Sequence, residues 1–66
     1  MKIAVNGEDR RLDPGITIAA LLKSLELDGK PIAVERNGET VPKSKLESTK
    51  LAEGDRIEIV TFVGGG

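Results

Sequence analysis

Polar and apolar residues alternate along Met1-Lys2-Ile3-Ala4-Val5, which puts Ile3 and Val5 on one face of a half-buried strand. Asn6-Gly7 follows. A type I′ turn needs positive φ at both central residues, and Asn-Gly supplies it, so the pair predicts a hairpin. Glu8 to Leu12 returns as a polar strand with Leu12 turned inward. Its charges suit a sheet edge, where they discourage pairing with another sheet. Asp13-Pro14-Gly15 ends the strand with turn chemistry. The period then changes. Ile18, Leu21, Leu22 and Leu25 fall at i, i+3, i+4 and i+7, one apolar face of a helix of about two to three turns. Thr17 is the expected N-cap, and Ile16 and Leu21 have the spacing of a hydrophobic staple. Asp28-Gly29 is the expected stop, with Pro31 just beyond. A helix this short is marginal alone and must lie on a sheet.

The second half returns to a strand period. Ile32 to Arg36 reads as a strand with Ile32 and Val34 inward, and Asn37-Gly38 repeats the first turn. Glu39-Thr40-Val41 is short and extended, and Pro42 ends its capacity to donate in a ladder. Lys43 to Lys50 is a charged loop with at most one helical turn, anchored by Leu46. Leu51 begins a short segment, and Glu53-Gly54-Asp55 turns the chain into the longest strand, Arg56 to Val63. Ile57, Ile59, Thr61 and Val63 share one of its faces; Arg56, Glu58, Val60 and Phe62 share the other. The first and last strands carry the clearest alternation and are expected to pair at the centre of the sheet. Hairpin, helix, strand, irregular strands and long final strand make an α+β, ubiquitin-like β-grasp: a mixed sheet of about four to five strands with one main helix across it. Residues 1–63 form the expected domain and 64–66 a glycine tail.

Composition narrows the function. Sixty-six residues allow one small domain. With no cysteine and no histidine, the chain offers no thiol nucleophile, no zinc site of the usual kind and no histidine proton shuttle. Ten basic residues against eleven acidic ones, with one aromatic, Phe62, argue against a nucleic-acid partner. No apolar run approaches the ~20 residues of a membrane span, and the N-terminus lacks a signal-peptide core, so a cytoplasmic location is expected. A core this small leaves little room for a substrate cavity of about 300 Å³ or more. Lys43, Lys45 and Lys50, with Arg36 near them, read as a solvated loop interrupted by Glu47. Glu8, Asp9, Asp13 and Asp55 fit no calcium loop, and turn or edge positions account for each. Glu26 and Asp28 read as solvent-facing helix-end residues. No catalytic constellation, metal site or bound cofactor is expected.

Against that background the final stretch, Thr61-Phe62-Val63-Gly64-Gly65-Gly66, stands out. Three glycines bring no packing and no strand propensity. Extended, residues 64–66 add roughly 10 Å of reach at ~3.3–3.6 Å per residue. Alone they also fit a frayed terminus or a leftover linker.

Three stretches carry a resemblance. Gly15-Ile16-Thr17-Ile18-Ala19-Ala20-Leu21-Leu22 resembles the helix start of the ThiS family of thiamin-biosynthesis sulfur carriers. Ala33-Val34-Glu35-Arg36-Asn37-Gly38-Glu39-Thr40-Val41-Pro42 resembles its middle hairpin. Leu51-Ala52-Glu53-Gly54-Asp55-Arg56-Ile57-Glu58-Ile59 resembles its final turn and strand, and the last residues match its bare Gly-Gly. The match runs in order over nearly the whole chain. Gly64 is a third glycine, where the family requires only a small residue.

The resemblance implies a protein co-substrate, not an enzyme. Gly66 would hold a terminal thiocarboxylate, with Gly65 and Gly64 as the thin tail behind it. A carboxylate is a poor electrophile, and adenylation gives it a leaving group. The implied partners are a ThiF-like adenylyltransferase of the ubiquitin-activating type, which uses ATP, a cysteine desulfurase or other persulfide donor, and a ThiG-like thiazole synthase as acceptor. Val60 and Phe62, outward beside the tail, are the candidate docking residues. The alternatives are the small subunit of molybdopterin synthase, a ubiquitin-like conjugating modifier and a β-grasp interaction module with an inert tail.

Overall fold

The computed structural model describes residues 1–62. Its strands are β1 (Lys2–Val5), β2 (Glu8–Arg11), β3 (Ile32–Arg36), β4 (Glu39–Val41) and β5 (Arg56–Thr61), with the helix α1 (Ile18–Ser24) and a 3-10 turn at Lys43–Lys45. The strands form one mixed sheet in the order β2-β1-β5-β3-β4. β5 runs parallel to β1 and antiparallel to β3, and the two hairpins β1–β2 and β3–β4 lie outside it. The expected central pairing of the first and last strands is therefore present. The charged strand β2 is an edge, as its composition predicts.

Both Asn-Gly turns adopt positive φ at both residues: 49° and 83° at Asn6-Gly7, 50° and 86° at Asn37-Gly38. That geometry matches the twist of the flanking strands and fixes the register of each hairpin. Alternation then places Ile3, Val5, Val34, Ile57 and Ile59 on one face. There they form a single cluster with Ile18, Leu21 and Leu22 of α1 and with Leu51. Leu12, Ile16, Leu25, Ile32 and Leu46 pack around it, half-buried.

The helix begins as expected. The Ala20 amide donates to Thr17 Oγ1 at 3.1 Å. The next free amides are met by the 43–50 loop: Ile18 donates to the Thr49 carbonyl at 3.0 Å and Ala19 to the Leu46 carbonyl at 2.9 Å. A bridge between Thr17 and Lys50 continues this seam, and the Leu51 amide donates to the Ile16 carbonyl at 2.9 Å. The segment beginning at Leu51 is thus not a strand of the sheet; it straps the helix start.

The helix end differs from expectation. It stops before Asp28-Gly29, because Glu26 takes the left-handed conformation at φ 60°. The Leu27 amide donates to the Leu22 carbonyl at 2.8 Å and the Glu26 amide to the Lys23 carbonyl at 3.0 Å. These two bonds make a Schellman cap, in which the residue after the C-cap is ordinarily glycine. The early stop lets Leu27 pack against the core. A β-carbon in this conformation costs about 1 kcal/mol. Glu26→Gly is therefore expected to stabilise the domain by about 0.5–1 kcal/mol, read as a higher midpoint in urea denaturation with an unchanged slope.

Candidate functional site

The end of β5 is where the sheet exposes large apolar side chains. β5 alternates without interruption, so its outward residues follow from its inward ones. Ile57 and Ile59 are buried, and Arg56, Glu58 and Val60 are exposed. Val60 is 57% exposed and Phe62 55%; among the described residues they are the exposed large hydrophobic side chains. Val60 stands opposite Ala33, and the Phe62 amide donates to the Pro31 carbonyl at 2.9 Å. The strand's backbone is therefore held against β3 as far as Phe62. Thr61, expected to share the inward face, is exposed. Gly64, Gly65 and Gly66, and Val63 before them, lie outside the described residues.

β5 is clasped by the two asparagines of the turns. Ile59 donates its amide to Asn6 Oδ1 at 2.7 Å, and Asn6 Nδ2 donates to the Ile59 carbonyl at 3.2 Å. At the other end, the Asn37 amide donates to the Arg56 carbonyl at 2.8 Å, and the Arg56 amide donates to Asn37 Oδ1 at 2.9 Å. Asn37 Nδ2 reaches on to Asp55 Oδ1 at 3.1 Å.

Asp55 does more than shape a turn. It is buried, 6% exposed. Its Oδ2 accepts from Arg36 Nε at 2.9 Å and from the Ala52 amide at 2.8 Å. Burial pushes its carboxyl pKa up, but the Ala52 amide, the Asn37 carboxamide and the Arg36 guanidinium outweigh it and hold the group below its ordinary value of 3.8. Arg36 thus belongs to this network rather than to the lysine-rich loop. The geometry is that of a structural latch where β5 enters the sheet.

Two open clefts border the β3–β4 hairpin. One, of about 370 Å³, is lined by Arg36, Thr40, Lys45 and Thr49; the other, of about 530 Å³, lies between α1 and the β3–β4 hairpin and includes Leu22, Leu27, Val41 and Leu46. The volumes exceed what the small core suggested, because they lie between elements at the surface rather than inside it. Among the described residues there is no cluster of three potential metal ligands, and no helix is long and apolar enough to cross a membrane.

A five-stranded mixed sheet crossed by one helix, with the last strand at its centre, defines a ubiquitin-like β-grasp protein. The family model described as "ThiS family" matches residues 3–66. The sulfur carrier protein ThiS of Bacillus subtilis is 44% identical over 66 residues, covering 97% of this chain and 98% of that protein. The crystal structure of a thiamine biosynthesis protein (ThiS) from Geobacter metallireducens superposes with a TM-score of 0.84 at 30% identity, over the full length of both chains. A protein named thiazole synthase from Paramagnetospirillum magneticum is 47% identical over the whole of this chain, which spans 20% of its length. A second, from Magnetococcus marinus, shows the same arrangement at 41% identity. The chain belongs to the ThiS family.

The depressed Asp55 carboxyl makes a stability prediction. Its contribution is complete above the unfolded value of about 4 and is lost as pH falls through the lower folded value. Urea denaturation from pH 5 down to pH 2 should show stability falling for the wild type. In Asp55→Asn the part of that fall due to this carboxyl should be missing, with the variant already weaker at pH 7.

Proposed function

We propose that Gly66 is where this ThiS-family sulfur carrier of thiamin biosynthesis holds its sulfur. The observation that carries the reading is the family match, which extends through the glycine run to residue 66. The chain is a co-substrate in this scheme, and enzymes act on its main-chain end. A carboxylate oxygen of Gly66 attacks the α-phosphorus of ATP on a ThiF-like adenylating partner, and pyrophosphate leaves. The terminal sulfur of a donor persulfide then attacks the acyl carbon and AMP leaves. A second thiol breaks the sulfur–sulfur bond, and a thiocarboxylate remains on Gly66. Glycines at 64–66 carry no side chain to block a narrow channel or crowd the acyl carbon. ATP belongs to the partner, and the domain itself binds no cofactor in this scheme.

A ThiG-like thiazole synthase is the proposed acceptor. Support comes from the two relatives named thiazole synthase, in which a fifth of the protein corresponds to this whole chain. Val60 and Phe62 are the proposed docking residues. They sit on the strand that leads into the tail, and both are more than half exposed. Aromatic residues at the centre of an interface commonly dominate its affinity.

Incubation with ATP, an adenylating enzyme of this type and a persulfide donor, followed by a thiol-alkylating reagent, should add one alkyl group that fragmentation maps to Gly66. The chain has no cysteine to confuse the result. No alkylation, with partners active on a known carrier, would sink the reading. One residue appended after Gly66 should abolish sulfur loading with thermal stability unchanged. Phe62→Asp should lower adenylation efficiency about tenfold or more while the fold stays intact. Unchanged adenylation would remove Phe62 from the docking surface.

A further inference from the structure

We propose that Asn6 is a positioning residue: its carboxamide sets the course on which the last strand leaves the sheet. The backbone of β1 makes its last bond to β5 where the Asn6 amide donates to the Ile57 carbonyl at 2.9 Å. There the chain turns away at Asn6-Gly7. One step further along β5, the Asn6 side chain takes over. It accepts from the Ile59 amide and donates to the Ile59 carbonyl, at 2.7 and 3.2 Å. A carboxamide thus stands where backbone groups of a longer β1 would stand. Asn6 itself is in the left-handed conformation, φ 49°.

Among the described residues this is the last lateral tie on that side. β5 alternates its backbone groups between its two neighbours. Arg56, Glu58, Val60 and Phe62 face β3, as the Asn37–Arg56 and Phe62–Pro31 bonds show. Ile57 and Ile59 face β1 and Asn6, and Thr61 comes next on that side, past the end of β1. Without the carboxamide, residues 58–62 are held from β3 alone. A strand tied on one edge can twist and swing. The fraction of molecules presenting Phe62 on the productive course then falls, and apparent affinity for a partner falls by the same fraction. Chemistry after docking is untouched. The proposal rests on the sulfur-carrier reading for what the strand end is aimed at, and not for the tie itself.

Asn6→Gly tests it, because glycine keeps the positive-φ turn and deletes only the carboxamide. Asn37→Gly is the control: it removes the matching clasp at the other end of β5, where Asn37 holds Arg56 and Asp55. In ATP-dependent adenylation by an enzyme active on a known ThiS-family carrier, Asn6→Gly should raise KM for the carrier about three- to tenfold at unchanged kcat. Asn37→Gly, with an equal or larger loss of stability, should leave KM within about twofold. In the same Asn6→Gly protein the Phe62 amide should exchange with solvent about tenfold faster relative to the Val34 amide. An unchanged KM, or a KM shift matched by Asn37→Gly, overturns the proposal. So does unchanged exchange at Phe62. If the wild-type chain is not adenylated at all, the sulfur-carrier reading fails, and exchange at Phe62 alone decides whether Asn6 directs the strand end.

Discussion

A strand at the centre of a sheet must satisfy its backbone on both sides, and β5 is where this fold meets that demand. Buried N–H and C=O groups left without partners cost about 1–3 kcal/mol each. β3 covers one side of β5 along its whole length, but β1 covers the other only through Ile57. One side chain closes that gap, and others secure the β3 side and the entry to the strand. Asn6 takes both backbone groups of Ile59, Asn37 takes the Arg56 amide, and Asp55 fixes Asn37 and Arg36 at the entry to the strand. Two turns of identical sequence thus do two jobs each. Their backbones reverse the hairpins, and their carboxamides hold the strand between them.

Much of this was legible in the sequence, for reasons that differ from one element to the next. The alternation of Ile57 and Ile59 against Val60 gave the inward and outward faces of β5, because a buried face tolerates no slip. The i, i+3, i+4 spacing of Ile18, Leu21 and Leu22 gave the helix and its buried side, and Thr17 gave its start. Its end is not legible there, since Gly29 carries the usual sign of a left-handed cap and Glu26 carries none. The sequence around Asp55 shows only a turn former. Its decisive partners, Arg36 and Asn37, lie 19 and 18 residues away, and no local pattern announces contacts of that range. For the same reason Asn6 and Asn37 were visible as turn residues but not as clasps. The chemistry proposed for Gly66 came from resemblance alone, because a glycine has no side chain from which a role could be read.

The division of labour that follows is unusual for so small a protein. The domain spends its polar side chains on holding the last strand, and the residues it exposes against hydrophobic logic, Val60 and Phe62, lie on that strand. In the proposed scheme a domain built this way supplies rigidity and an address, and its partners make the bonds.

The strand that sits in the middle comes last in chain order. Asn6 and Ile59 are 53 residues apart, and the β1–β5 pairing spans nearly the same distance. Until Arg56 to Thr61 emerge from the ribosome, the two hairpins have no common neighbour and the apolar face of α1 has only half its bed. At elongation rates of about 5–20 residues per second, the nascent domain waits several seconds in that open state. Closure of the fold therefore waits on the last strand. A chain broken off before β5 lacks Ile57 and Ile59 of the core and, with them, Val60 and Phe62, the proposed docking residues.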